Sequence, residues 1–501
     1  MADDKTSEHP TGKTTGDKAE TTTKPAEPKD DLVSSKHHLR VGRRTLDYTA
    51  TTGRVVLRDE VYEDGTFTGF KPKAEMSLTS YVVDDGGPDR PVTFAFNGGP
   101  GSSSVWLHLG LLGPRRVLMG DAGALLPPPY DLADNAESLL AVSDLVFIDP
   151  VSTGYSRTLE GTKPEPFHGY QGDVESVGEL IRIWTSRHKR WMSPKFVAGE
   201  SYGTLRGAAL VEHLQSRHGM YVNGLILISS VLDLSSIDFE KQRNDRAHAL
   251  YLPTYAAIAH YHGKVQRRSL KALLKEAEEY AAHGYPQVLA RGNRLTAKER
   301  AAAVHKLASL TGLTEDYIDR ADLRIEHWRF FGELLRHERR TTGRLDGRFS
   351  GPAGSAIAEE MDADPSHDAI AGPYAAAFNH YVRDELGYEN DLPYEQISRR
   401  VHPWSFKDFE GRPIDVTPRL ERAMRQNPHL QVHVAYGYYD GATPHFAAED
   451  VIAHLQIPDE LRANIEHAYY EAGHMMYVHE PSRRQQSKDL ADFVTRHSPR
   501  S

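Results

Sequence analysis

Cysteine is absent from all 501 residues. That excludes a disulfide framework, a thiolate metal site, an iron–sulfur cluster and a cysteine nucleophile. It does not set the compartment, because secreted proteins can also lack disulfides. No window approaches the roughly 18 consecutive apolar residues of a membrane-spanning helix. The first residues lack the apolar stretch of a secretory signal. A basic surplus is missing too: 60 Lys and Arg stand against 70 Asp and Glu, a formal charge of −10, and a nucleic-acid binder usually shows a basic footprint. Gly 40 and Pro 29 are too few for a collagenous or low-complexity chain. With 39% hydrophobic and 26% charged residues, a soluble chain in the cytoplasm is the expectation, with no membrane or nucleic-acid partner. Its length suits two or three ordinary domains or one large domain with insertions.

Residues 1–36 contain almost no large apolar side chain before Leu32, so a disordered tail is expected there. Short β-type runs follow at 54–58, 66–70, 76–84 and 91–96, reading as an antiparallel start to a sheet. Two stronger runs, 144–148 and 195–198, each end in a turn carrying Gly or Pro. Between them, 170–190 has helical spacing, with Val174, Val177, Leu180, Ile181 and Trp184 on one stripe. A helix after Ser201, strands at 224–229, 431–435 and 463–470, and a helix over 483–496 complete the alternation. Strands alternating with helices predict an α/β fold with a central, mostly parallel sheet flanked by helices. Residues 235–426 break the rhythm with helical patterns such as 269–280 and 296–310. We therefore divide the chain into a tail (1–36), a first core part (37–234), a helical insertion (235–426) and a second core part (427–501). Connections from strand C-terminal ends lie over the ligand crevice, so the insertion is expected to form a lid.

The sharpest motif is Gly199-Glu200-Ser201-Tyr202-Gly203, directly after one predicted strand and before a helix. In that context G-x-S-x-G forms a sharp turn that lifts the serine oxygen to the end of the sheet. The Tyr202 N–H then points at the oxygen of a reacting carbonyl. A serine hydroxyl needs a base, and the base needs an orienting acid, in the chain order Ser, Asp or Glu, His. Asp440 follows the 431–435 run within Gly437-Tyr438-Tyr439-Asp440-Gly441, and His474 follows 463–470 within Gly473-His474-Met475. Among 26 histidines, His445, His467 and His479 compete locally, but only His474 follows a glycine in a loop directly after a strand. A second oxyanion donor would come from Asn97-Gly98-Gly99-Pro100-Gly101-Ser102, after the 91–96 run. A phosphate loop is the rival reading; the Lys-Ser/Thr ending of a P-loop and the G-x-G-x-x-G spacing are both missing.

Together, residues 97–104, 149–156 (DPVSTGYS), 199–203, 436–440 and Gly473-His474 resemble the serine carboxypeptidase family, in the family's order from about 91 to 481. The insertion matches only in position and size. The resemblance implies an α/β-hydrolase fold that removes residues one at a time from peptides with a free C-terminal carboxylate, without a cofactor or metal. It implies Ser201 as nucleophile, His474 as base then acid, Asp440 as its partner, and the N–H groups of Gly99 and Tyr202 as oxyanion hole. Asn97, Gly98 and Glu200 would bind substrate, with Asn97 and Glu200 on its carboxylate. Glu200 can meet a carboxylate only when protonated, since close like charges disfavour joint ionisation.

Four positions depart from the family pattern. Ala95 replaces a Trp, Ser102 a Cys, and Thr204 a glycine, while Leu111 falls near a Glu that commonly partners the carboxylate-gripping one. The triad is untouched and the carboxylate clamp is thinner. An esterase, amidase or acyltransferase using the same triad is therefore the first alternative. A non-catalytic scaffold would not need Ser201, Asp440 and His474 together. A metal hydrolase has only His260-Tyr261-His262 in its favour, without H-E-x-x-H. Trp106 and Tyr155 are aromatics that pocket lining and core packing explain equally well. The missing cysteines point to a disulfide-free, bacterial-type member.

Overall fold

In the computed structural model, which describes residues 27–239, 244–266 and 269–498, ten strands build one sheet. Nine lie along a single path: β1 (Asp31–Val41), β2 (Arg44–Glu63), β3 (Thr66–Val83), β4 (Val92–Phe96), β5 (Asp144–Ile148), β6 (Lys195–Glu200), β7 (Gly224–Ile228), β8 (Gln431–Gly437) and β9 (Ile465–Tyr470). Their spatial order is β1-β2-β3-β5-β4-β6-β7-β8-β9, and the short strand Arg157–Thr158 pairs with β3. The first three strands and the β3–β5 pair are antiparallel. From β5 through β9 every neighbour is parallel.

Sequence explains this split. The segments of β4 (VTFAF), β5 (DLVFI) and β7 (GLILI) are buried along their whole length, as a parallel sheet covered on both faces requires. Successive side chains then alternate between two cores. Phe94, Val146 and Leu225 join one with α1 (Tyr170–Arg187) and α2 (Tyr202–His218). Ala95, Phe147 and Ile226 join the other with the C-terminal helix Glu480–Arg496.

Two expectations need correction. The tail assigned to 1–36 ends early, because Asp31–Val41 is a strand paired along its length with β2; residues 1–26 lie outside those described. Its exposure alternates residue by residue, but polar Ser, Lys and His fill the run and hide the period. The runs 66–70 and 76–84 are one strand, β3, that passes through Lys71-Pro72-Lys73. A register shift against β2 between Leu57 and Arg58 puts Pro72 opposite Arg58, and such an irregularity tolerates the missing N–H.

Residues 235–426 do not pack as one body. Helices from Asp245–Tyr261 to His327–Glu333 bury Leu252, Ile258, Leu307 and Phe330 in a core of their own. The helix Pro365–His380 instead buries Ile370, Tyr374 and Phe378 in the second sheet core. Further along, Glu395 bridges Gly154, Ile397 bridges Ser102 and Ser405 bridges Gly169, sewing this stretch to the sheet's loops.

Candidate active site

Ser201 stands at the junction of β6 and α2 with φ 61° and ψ −131°, a backbone region that strains any residue except glycine and clusters at functional sites. Gly199 makes the turn possible, since a Cβ there would lie 2.1 Å from the Gly203 oxygen. The Ser201 N–H donates to the Ile228 carbonyl at 3.0 Å, anchoring the turn to β7. Thr204 fits without a third glycine. Its hydroxyl donates to the Ser201 carbonyl at 2.7 Å and accepts from the Val231 N–H at 2.9 Å.

His474 and Asp440 arrive from the ends of β9 and β8. The imidazole Nδ1 lies 2.8 Å from Asp440 Oδ2. Asp440 is fully buried; its Oδ1 accepts the Ala442 and Thr443 N–H groups at 2.8 and 2.9 Å, and its Oδ2 accepts the Thr443 hydroxyl at 2.7 Å. Such saturation holds both carboxylate oxygens in place and so fixes the ring's orientation. Burial disfavours the imidazolium of His474, but Asp440 outweighs it and the pKa is raised. Ser201 and His474 line one cavity of about 460 Å³. No hydrogen bond joins them, and such contacts commonly tighten only around substrate.

The glycine loop after β4 closes on the same cavity. Gly98 has no room for a side chain: a Cβ would sit 2.4 Å from the Tyr202 nitrogen. Gly99 adopts φ 102°, open to glycine alone without strain. Asn97 donates from Nδ2 to Glu200 Oε1 at 2.7 Å and accepts the Leu107 N–H on Oδ1 at 3.1 Å. Beneath the loop, fully buried Arg206 donates to Asp173 at 2.8 Å and to the Asn97 carbonyl at 2.6 Å, tying α1, α2 and the loop into one block.

Glu200 is buried, and its Oε2 has no hydrogen-bond partner. Burial pushes its carboxyl up to about 7, with His474 pulling it down. Tyr477 lies beside it and feels its charge, yet the Tyr477 hydroxyl also makes no hydrogen bond of good geometry.

The structure thus gathers Asn97, Gly98, Gly99, Glu200, Ser201, Tyr202 and His474 around one cavity, with Asp440 behind the histidine. Trp106 lines it, whereas Tyr155 packs in the core. Leu111 and Ala95 are core residues that do not line it. Ser102 accepts the Trp106 indole N–H at 2.8 Å. The competing histidines are engaged elsewhere: His445 with Glu278, His467 with Tyr436 and His479 with Ser482. His262 contacts the Gly347 carbonyl at 2.7 Å. Among the described residues no group of three or more His, Cys, Asp or Glu is arranged to hold a metal ion.

Several lining residues escape the sequence reading: Trp328, Arg344, Asp364 and His367, all from the insertion, and Thr443. Thr443, three residues after Asp440, carries a readable signal in the side-chain-to-backbone turns that Asp and Thr form. The others sit in a region without recognisable motifs.

The family model described as serine carboxypeptidase matches residues 81–489. Over 177 residues the chain is 27% identical to serine carboxypeptidase-like 13 of Arabidopsis thaliana, covering 34% of this chain and 40% of that protein. It is 25% identical over 188 residues to serine carboxypeptidase-like 11 of the same plant, 36% and 41% of the two chains. The matched segments therefore span about two fifths of these relatives. A prohormone-processing carboxypeptidase of Saccharomyces cerevisiae shares the fold, with TM-score 0.55 and 15% identity over 90% of this chain and 91% of that one.

Proposed function

Since the chain belongs to the serine carboxypeptidase family, we propose that it releases the C-terminal residue of peptides by acyl transfer through Ser201. His474 Nε2 takes the Ser201 proton as Oγ attacks the last peptide carbonyl, while Asp440 on Nδ1 steadies the imidazolium. The N–H groups of Gly99 and Tyr202 receive the developing oxyanion, with the α2 N-terminus adding its dipole. His474 then protonates the departing amino group. Water, deprotonated by the same ring, hydrolyses the acyl-enzyme.

The single observation that carries the choice of a carboxypeptidase is the buried Glu200–Asn97 pair. Glu200 Oε1 is held by Asn97 at 2.7 Å while Oε2 is unpartnered. With its carboxyl lifted to about 7, Glu200 is protonated in mildly acidic solution and offers an O–H to a substrate carboxylate. Asn97 keeps a second amide hydrogen for the same group, and Gly98 lets that group approach the backbone. We read the insertion as the cover of the site, supported by Trp328, His367, Ile397 and Phe406 on the cavity wall.

Blocked dipeptides with free or amidated C-termini test the reading. The free acids are expected to be cleaved far faster; equal cleavage of both, or cleavage of simple esters alone, would transfer the chain to the esterase, amidase or acyltransferase class. Ser201→Ala should lower turnover by roughly 10⁴-fold or more and abolish labelling by a fluorophosphonate while the circular dichroism stays unchanged.

A further inference from the structure

The cavity contains one permanent cation that the acyl-transfer chemistry does not use. Arg344 lines it from the insertion, and its guanidinium carbon lies 5.2 Å from the ring centre of Trp328. Its Nε is buried without a hydrogen-bond partner, and the guanidinium forms no ion pair with any described residue. Arg348, four positions on, shows the contrast: it is forked onto Asp346 and reaches Asp121. A buried donor without an acceptor costs stability, so Arg344 is held ready at that cost.

Its backbone is pinned on two sides. Asp364 Oδ1 accepts the Arg344 N–H at 3.0 Å and Oδ2 the Leu345 N–H at 3.2 Å. The Arg344 carbonyl accepts the Gly441 N–H at 3.0 Å, and the Leu345 carbonyl accepts the His474 N–H at 2.6 Å. Arg344 therefore stands on the wall formed with the Asp440 and His474 loops, whereas Asn97 and Glu200 form the wall with the glycine loop. The other ionisable lining groups have partners of their own or, for Glu200, are neutral at mildly acidic pH. Asp364 is saturated by backbone and Ser366 donors, and Glu200 is protonated below about 7. His367 faces Asp368 at 3.9 Å, and His474 faces Asp440. Around them Val231, Leu234, Ile237 and Met475 are apolar.

We propose that Arg344 is a specificity residue that selects peptides carrying an acidic side chain beside the scissile bond. The proposal rests on acyl transfer at Ser201 as given above. Trp328 lies beside the guanidinium, whose Nε has no hydrogen-bond partner, and the N–H edge of a guanidinium matches a carboxylate bidentately. In apolar surroundings such a pair is stronger than in water.

Two matched pairs of blocked dipeptides test it at pH about 6, where a side-chain carboxylate is ionised. One pair carries Glu or Gln before a fixed terminal alanine; the other carries Glu or Gln as the terminal residue. The wild-type protein is expected to favour Glu over Gln by tenfold or more in kcat/KM in one pair, which also assigns the side of the bond. Arg344→Gln should bring that ratio close to one, Arg344→Lys should keep part of it, and Arg344→Glu should invert it. Fluorophosphonate labelling of Ser201 in each variant shows that the site remains folded. A wild-type ratio near one in both pairs, or a preference that survives Arg344→Gln, overturns the proposal. So does loss of the free-acid over amide preference in Arg344→Gln with no change in the Glu-to-Gln ratio, since Arg344 would then grip the terminal carboxylate. Absence of any cleavage by a wild-type protein that labels with fluorophosphonate overturns the carboxypeptidase reading itself, and this proposal with it.

Discussion

Burial lifts the Glu200 carboxyl to about 7, against the pull of His474. Below that value the group is neutral and can donate to a substrate carboxylate; above it two anions would meet. We expect kcat/KM for free-acid peptides to fall as pH rises through about 7, through rising KM, while an ester substrate is spared. Glu200→Gln should remove that alkaline limb. On the acid side both substrates lose rate as His474, its pKa raised, becomes protonated and ceases to be a base. Stability follows the same sign. A carboxyl raised on folding contributes stability below its unfolded pKa and loses it as pH rises through the folded value. Between an unfolded value near 4.5 and a folded one of about 7, the loss is roughly 3 kcal/mol. Thermal melts should therefore show Glu200→Gln above wild type in Tm at pH 8, with the gap closed at pH 4. At this scale the site was legible where chemistry demands a residue type in a fixed turn: Ser201 after Gly199, His474 after Gly473. Arg344 and Asp364 were not, because they reach the cavity from a segment whose local pattern speaks only of helices and loops.

At the scale of elements, strength and legibility parted company. Buried parallel strands announce themselves as unbroken apolar runs, as GLILI does in β7. The edge strand β1 does not, because its outward face is solvated and its inward face is half polar, with Leu39 alone fully buried. Yet β1 is tied down at its start and at its middle. Asp31 pairs with Arg54 at 3.0 Å and accepts the Tyr388 hydroxyl at 2.7 Å, and His37 stacks on Tyr48 with centroids 5.6 Å apart. A chain beginning at residue 37 should therefore melt several degrees below one beginning at residue 27 and aggregate more readily, because the uncovered edge of β2 offers unpaired backbone groups. Equal melting temperatures for the two would show that β1 adds nothing.

The molecule as a whole holds together without a covalent cross-link, through two cores on opposite faces of the sheet and a third within the insertion. The insertion is also part of the catalytic seat. Its 344–347 segment bonds the loops of both Asp440 and His474, with the Gly347 N–H on the Tyr439 carbonyl at 2.9 Å, and a Cβ on Gly473 would lie 2.4 Å from the Asp346 side chain. Asp364→Ala would release the backbone of Arg344 and Leu345 at once. We expect it to lower kcat by about tenfold, in keeping with the sensitivity of catalysis to small misplacements. An unchanged kcat with a raised KM would place the effect on binding alone.

The nucleophile at residue 201 and its helpers at 440 and 474 are separated by the whole insertion, and both helpers follow the two strands at one edge of the sheet. During synthesis from the N-terminus, then, the reactive serine leaves the ribosome long before the group that can deprotonate it. The growing chain holds no base for Ser201 until His474 emerges, and cleavage anywhere between α2 and β8 would leave Ser201 on one fragment and both Asp440 and His474 on the other.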